Sequence, residues 1–62
     1  MTNQEKGILY DQYLRESDAL QLANSRLRSQ YVLNIPPQIQ KIIDENNAKI
    51  GIIIKRLENL YI

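Results

Sequence analysis

The sequence predicts an all-α protein, an antiparallel two-helix hairpin of the coiled-coil type. Three observations predict it: an apolar repeat in the second half of the chain, a matching apolar stripe in the first half, and two adjacent prolines between them. All 62 residues fit a single hairpin domain. Because a chain this short has little core, we expect oligomerisation or a partner protein to complete the fold.

The first helix is predicted to run from about residue 3 to about residue 31. Thr2, followed three residues later by Glu5, matches the capping box that begins many helices. Spacing of the apolar residues places one stripe along the helix, with Glu16 at its edge. The stripe consists of Leu9, Tyr13, Leu20, Ala23, Leu27 and Tyr31.

The segment 34–37, Asn-Ile-Pro-Pro, is predicted to be the hinge between the helices. Proline lacks the amide donor that a helix interior needs, and it pushes the preceding residue towards extended geometry. Proline is accepted in the first turn of a helix, so Pro36 or Pro37 can open the second one.

The second helix is predicted from about residue 37 to about residue 60. Its buried positions follow one another at alternating steps of four and three residues, the repeat of a helix packed on another helix. They are Ile39, Ile43, Asn46, Ile50, Ile53, Leu57 and Leu60. A short strand at 50–54 is the alternative, since these residues are Gly51 and four isoleucines. The helix is preferred because the spacing continues on both sides and no second strand is available for pairing.

Folding the chain back at the hinge pairs the two sets of positions in one antiparallel register. Leu27 then lies opposite Ile43 and Leu20 opposite Ile50, and in every pair the two position numbers add up to 69 or 70. Asn46 lies opposite Ala23, where its amide either fixes register and oligomeric state, for example by pairing with its own copy, or turns towards water. Pairing between chains, with the hinge open, also stays possible at this stage.

Large apolar side chains outside both stripes predict a second buried surface. A lone hairpin leaves these residues in water, whereas a bundle or a larger partner would cover them. The residues assigned to this partner surface are Tyr10, Leu14, Leu22, Ile52 and Tyr61. The expected partner is a second copy of the chain, as a homo-oligomer, or a larger protein assembly.

The composition argues against an enzyme. The chain has no Cys and no His, so the usual thiol nucleophile and imidazole base are missing, and no catalytic, cofactor-binding or metal-binding residues are predicted. Asp44 and Glu45 are adjacent on a helix and therefore point about 100° apart. Eight basic and seven acidic residues are interspersed, so nucleic-acid binding is not expected.

No apolar run approaches the roughly 20 residues that a membrane-spanning helix needs, and the first residues lack the apolar core of a signal peptide. We therefore expect a cytoplasmic or virion-associated protein without a membrane span. The expected function is a non-enzymatic protein–protein interaction module, a small structural or assembly subunit, with a phage or virion component as one fitting setting. The alternative is a small regulator that binds and inhibits an enzyme or a transcription component.

Overall fold

The computed structural model describes residues 1–60, and within this range the chain forms two α-helices that pack against each other. Helix α1 spans Asn3–Gln30 and helix α2 spans Pro37–Leu60, joined by residues 31–36. The hairpin is a rod of 47 × 15 × 12 Å. The prediction of an all-α helical hairpin is confirmed.

The start of α1 is fixed by its capping residue. Thr2 has extended backbone geometry, and its hydroxyl oxygen accepts a hydrogen bond from the backbone amide of Glu5 at 3.1 Å. The same hydroxyl donates to a carboxylate oxygen of Glu5, also at 3.1 Å. These bonds satisfy an amide that the first helical turn otherwise leaves unpaired, so the predicted cap is confirmed.

Helix α1 ends at Gln30, and the bend comprises residues 31–36, with Pro36 and Pro37 at its end. Tyr31 caps the C-terminus of α1, where its backbone amide donates to the carbonyl of Leu27 at 3.2 Å. The carbonyl of Pro36 accepts from the amides of Ile39 and Gln40 at 3.0 and 2.9 Å, and Pro37 is the first residue of α2. Proline costs no hydrogen bond at that position, since the first amides of a helix have no partner in the helix.

Helix α2 continues without a break through Ile50–Ile54, so the strand alternative is wrong. The β-branched residues are tolerated because every third or fourth one is packed against α1, and this packing outweighs their weak preference for strands. Gly51 has no positive φ, and it is an ordinary helical residue.

The core lies along one line between the helices and is unequal in composition. Within residues 1–60 the buried apolar side chains are Ile43, Ile53 and Leu60, all on α2. The two buried residues of α1 are polar, Ser17 and Asn24. Helix α2 is accordingly the more amphipathic of the two.

The packed side of α1 is rotated relative to the predicted stripe. Glu16 is exposed and Ala23 is half-buried, whereas their neighbours Ser17 and Asn24 are buried. The α1 positions packed on α2 therefore follow the same alternating steps of three and four residues. We call the following packed positions the seam: Tyr13, Ser17, Leu20, Asn24, Leu27 and Tyr31 of α1 with the seven predicted positions of α2.

A hydrogen bond between Asn24 and Asn46 fixes the register of the seam. The two position numbers add up to 70. Because the helices are antiparallel, each step forward along α1 is matched by an equal step back along α2, so the other facing pairs also add up to 70. Ser17 is thus level with Ile53, and Leu20 with Ile50. In the predicted register, the position numbers of facing residues add up to 69 in some pairs and to 70 in others. With Ser17 and Asn24 in the seam, the sum is 70 in every pair.

Candidate interaction surface

Three asparagines form a polar cluster in the middle of the seam. The Asn24 side chain accepts a hydrogen bond from Nδ2 of Asn46 at 2.9 Å and donates from its own Nδ2 to Oδ1 of Asn47 at 3.0 Å. Asn24 is only 2% exposed, Asn46 is half-buried and Asn47 is exposed. Both bonds join α1 to α2, so the cluster links the helices at one defined position.

The cluster corrects the predicted surroundings of Asn46. Its amide does lie in the seam, but the side chain bonded to it is Asn24 and not Ala23, because Asn24 is the buried one of these two neighbours. The Nδ2 group of Asn46 is bonded within the same chain. Asn24 was missed because it is polar and interrupts the apolar stripe. Asn24 could have been predicted from its position, because in the antiparallel register it is level with Asn46.

Ser17 is the other buried polar residue that the sequence analysis missed. Its hydroxyl donates to the carbonyl oxygen of Leu14 at 3.1 Å, within α1. Within residues 1–60, no buried side-chain nitrogen or oxygen atom lacks a hydrogen-bond partner. A small residue level with the large Ile53 lets the helices come close without leaving a buried donor unpaired.

The ten residues predicted for the seam or interface are all at least half-buried. Ile43, Ile53 and Leu60 are buried, and seven are half-buried. The half-buried residues are Leu9, Tyr13, Leu20, Leu27, Asn46, Ile50 and Leu57.

Four of the five residues predicted for the partner surface are described by the structure, and these four do not form one patch. Tyr10, Leu22 and Ile52 are exposed, and Leu14 is half-buried. Tyr61 lies outside the described residues. Ile52 lies on the same side of the hairpin as Ala19 and Leu20. By helical spacing, Leu14 lies on the opposite side.

A groove of about 490 Å³ runs between the helices on the side of Ile52. The seam residues Leu20 and Ile53 form its floor, and Ala19 and Ile52 border it. Three charged, exposed residues complete the lining: Glu16 from α1, and Lys49 and Arg56 from α2. The groove is thus apolar inside and charged at its margins, acidic on one helix and basic on the other.

A second apolar site is the tip of the hairpin. Leu33 is fully exposed and Val32 is 79% exposed. A shallow hollow of about 380 Å³ is lined by residues 30–34. The hollow at the tip is somewhat smaller than the groove, and no charged residue lines it.

Clustered acidic, Cys and His side chains would indicate a metal site among the described residues. No group of three or more acidic, Cys or His side chains in residues 1–60 is placed to hold a metal ion. The carboxylate of Asp44 accepts a hydrogen bond from Gln40 at 2.9 Å on the exposed surface. Neither helix, over the residues described, is apolar for long enough to cross a membrane.

No protein-family model, curated protein or solved structure matches this chain at a significant level.

Proposed function

We propose that this chain is a non-enzymatic protein–protein interaction module, a small structural or assembly subunit of a larger complex. The observation that carries the proposal is the groove, with its apolar floor and its charged margins. Protein interfaces combine an apolar centre with a polar, charged rim in the same way. An enzyme pocket of similar size would instead gather polar groups that converge on one point.

The distribution of apolar side chains supports the same conclusion. Among residues 1–60, three apolar side chains are buried, while nine large ones are exposed. The exposed residues are Met1, Ile8, Tyr10, Leu22, Val32, Leu33, Ile42, Ile52 and Ile54. Single exposed apolar residues are normal, but an excess of this size in a small domain is typical of a chain that is covered by another protein.

Composition supports a non-enzymatic role. The whole chain has neither Cys nor His, so an acid–base or nucleophilic reaction would need carboxylates, lysine or hydroxyl groups alone. The charged residues at the groove, Glu16, Lys49 and Arg56, are all exposed. Their arrangement suits contacts across an interface better than proton transfer in a closed site.

The proposal is tested by the size of the complex that the chain forms in its own cells. A tagged wild-type chain is expected to migrate, under native conditions, well above the 7.3 kDa of the free chain. Ile52→Asp should abolish the complex by placing a charge in the groove. The matched control is Ile54→Asp, on the opposite side of α2 and 45% exposed, which should leave the complex intact. Migration of the wild type as the free chain would refute the proposal.

The hairpin tip favours a second candidate, a regulator that inserts an apolar end into a target enzyme or transcription component. A fully exposed Leu33 at the end of a rigid rod has the form of such an anchor. Leu33→Ser would then remove the complex and Ile52→Asp would not. The reverse result supports the assembly subunit.

A further inference from the structure

We propose that the groove binds a second copy of this chain, so that two hairpins form an antiparallel four-helix bundle with α1 of each copy lying on α2 of the other. This inference rests on the proposed function and names the partner for the groove. Three observations carry it: the area that the hairpin exposes, the signs of the charges on the two helices, and the sizes of the residues beside the groove.

The exposed area matches what a dimer would cover. The isolated hairpin exposes 4930 Å², whereas a compact monomer of 7.3 kDa exposes roughly 4,200 Å². The difference of roughly 750 Å² is close to the ~800 Å² that each partner buries in a stable interface of standard size. One second copy on one side of the rod is therefore enough to give this chain the exposed area of an ordinary folded protein.

The charges beside the groove are complementary to those of a second copy. Glu16 lies on α1, and Lys49 and Arg56 lie on α2. Within residues 1–60 the ion pair is Arg15 with Asp11, so these three residues form no ion pair with another described residue. When a two-fold axis parallel to the rod relates the copies, α1 lies on the other copy's α2. Glu16 is level with position 54 and therefore comes close to Arg56 of the other copy, at two symmetric places.

The alternative two-fold axis, perpendicular to the rod, is opposed by the same charges. In that arrangement α2 lies on α2 and runs in the opposite direction. Lys49 and Arg56 are equally far from the middle of the groove. Lys49 of one copy would therefore face Arg56 of the other copy, and the reverse. Two pairs of like charges destabilise this bundle, which leaves the arrangement with α1 on α2.

Residue size fits that arrangement as well. Ala19 is level with position 51 of α2, both in its own chain and in the other copy. Ile52 of the other copy, next to that position, would therefore contact Ala19. Ile52 is 54% exposed in the isolated chain, and Ala19 is the small residue that lines the α1 side of the groove near that level. A large apolar side chain on one helix and a small one on the facing helix is the pairing that brings helices into close contact.

The test is sedimentation equilibrium of the purified chain over a wide concentration range, with circular dichroism on the same samples to check that each variant is helical. The wild type is expected to be a dimer at high concentration. Glu16→Lys turns both symmetric ion pairs into like-charge contacts and should weaken the dimer roughly tenfold or more. The matched control is Asp18→Lys, which makes the same reversal of charge on the opposite side of α1 and should leave the dissociation constant within about twofold.

A charge exchange decides between contacts within one chain and contacts between copies. Arg56→Glu should weaken its own dimer as Glu16→Lys does, but an equimolar mixture of the two variants should dimerise nearly as tightly as the wild type. Only contacts between copies can be restored by mixing, because within each chain the like charges remain. No recovery on mixing, or equal dimerisation by Glu16→Lys and Asp18→Lys, would overturn the arrangement.

A wild type that stays monomeric at every concentration would overturn the second copy as the partner. The proposed function would survive that result if the chain still forms a large complex in its own cells. Both would fail only if the chain were also free in those cells.

Discussion

Single asparagines and isoleucines decide how the two helices meet. Asn24 links α1 to α2 through two side-chain hydrogen bonds, and apolar residues surround this polar cluster along the seam. A buried amide is stable only when its bonds are made, so a shift of the helices by one turn would leave it unpaired. The cluster therefore favours one register over the neighbouring ones, although it adds less stability than well-packed apolar residues would.

Replacing Asn24 by Ala should destabilise the hairpin by about 1–3 kcal/mol, because the half-buried amide of Asn46 loses its acceptor. The measurement is urea unfolding followed by circular dichroism. Asn59→Ala is the control, since it makes the same change on the exposed surface of α2. Equal unfolding midpoints for the two variants would show that the cluster does not contribute.

The double variant Asn24→Leu, Asn46→Leu tests the same cluster by removing both hydrogen-bond partners. Replacing both partners by apolar residues removes the unpaired amide, so this variant is expected to recover the stability lost by Asn24→Ala.

Neighbouring isoleucines should respond in opposite ways to the same substitution. Ile53 is 5% exposed, and Ile53→Asp should cost more than about 3 kcal/mol because it buries an unpaired charge and removes core volume. A hairpin of this size has little more stability than that, so its helical signal in circular dichroism should be lost. Ile52→Asp should keep the helical signal while weakening association. Retained helicity in Ile53→Asp would contradict the register of the seam.

The two helices contribute unequally to the fold. Helix α2 carries a nearly continuous apolar seam, whereas the seam of α1 contains Ser17 and Asn24. Most of the stability of a helix in a protein comes from packing its apolar side, so the seam of α2 contributes more of the apolar packing than the seam of α1 does. The capping bonds of Thr2 partly offset this difference at the start of α1.

Gly51→Ala should stabilise α2. A Cβ atom at this position meets nothing within 4 Å, and glycine in a helix interior costs about 1 kcal/mol relative to alanine. For a domain of this size the melting temperature should rise by about 4–8 °C. Position 51 lies away from the groove, so the dissociation constant of the dimer should not change. A decrease in melting temperature would mean that another molecule approaches the backbone at Gly51.

At the scale of the whole molecule, the hairpin is a rod with one buried line and two long exposed sides. Two helices can bury only one stripe each, while four helices around a common axis bury a second side of every helix. The groove supplies the side on which a second rod would lie.

The melting temperature should therefore depend on protein concentration. If folding is coupled to dimer formation, mass action raises the midpoint as the concentration increases. Ile52→Asp should melt at a lower temperature that is independent of concentration, and Ile54→Asp should behave as the wild type does. The measurement is thermal unfolding by circular dichroism at several concentrations. A midpoint that is constant for the wild type would contradict a dimer held through the groove.

The features that the sequence determined are local ones. The capping pair at Thr2 and Glu5 begins α1, the prolines at 36 and 37 separate the helices, and the spacing of isoleucine and leucine marks the packed side of α2. Each depends on residues within a few turns of one another, so the sequence alone predicted the hairpin and nearly all of its bounds.

Only the tertiary structure decided the rotation of α1 and, with it, the lining of the groove. Apolar spacing could not reveal that Ser17 and Asn24 are buried, because a polar side chain is buried only when a partner is present. That partner is Leu14 for Ser17 and the asparagine pair of α2 for Asn24. With Ser17 and Asn24 buried, the neighbouring Glu16 is exposed and lines the groove together with Lys49 and Arg56 of α2. The hydrogen bonds of Asn24 join residues more than twenty positions apart, which a pattern within one helix does not contain, whereas the bond of Ser17 is local.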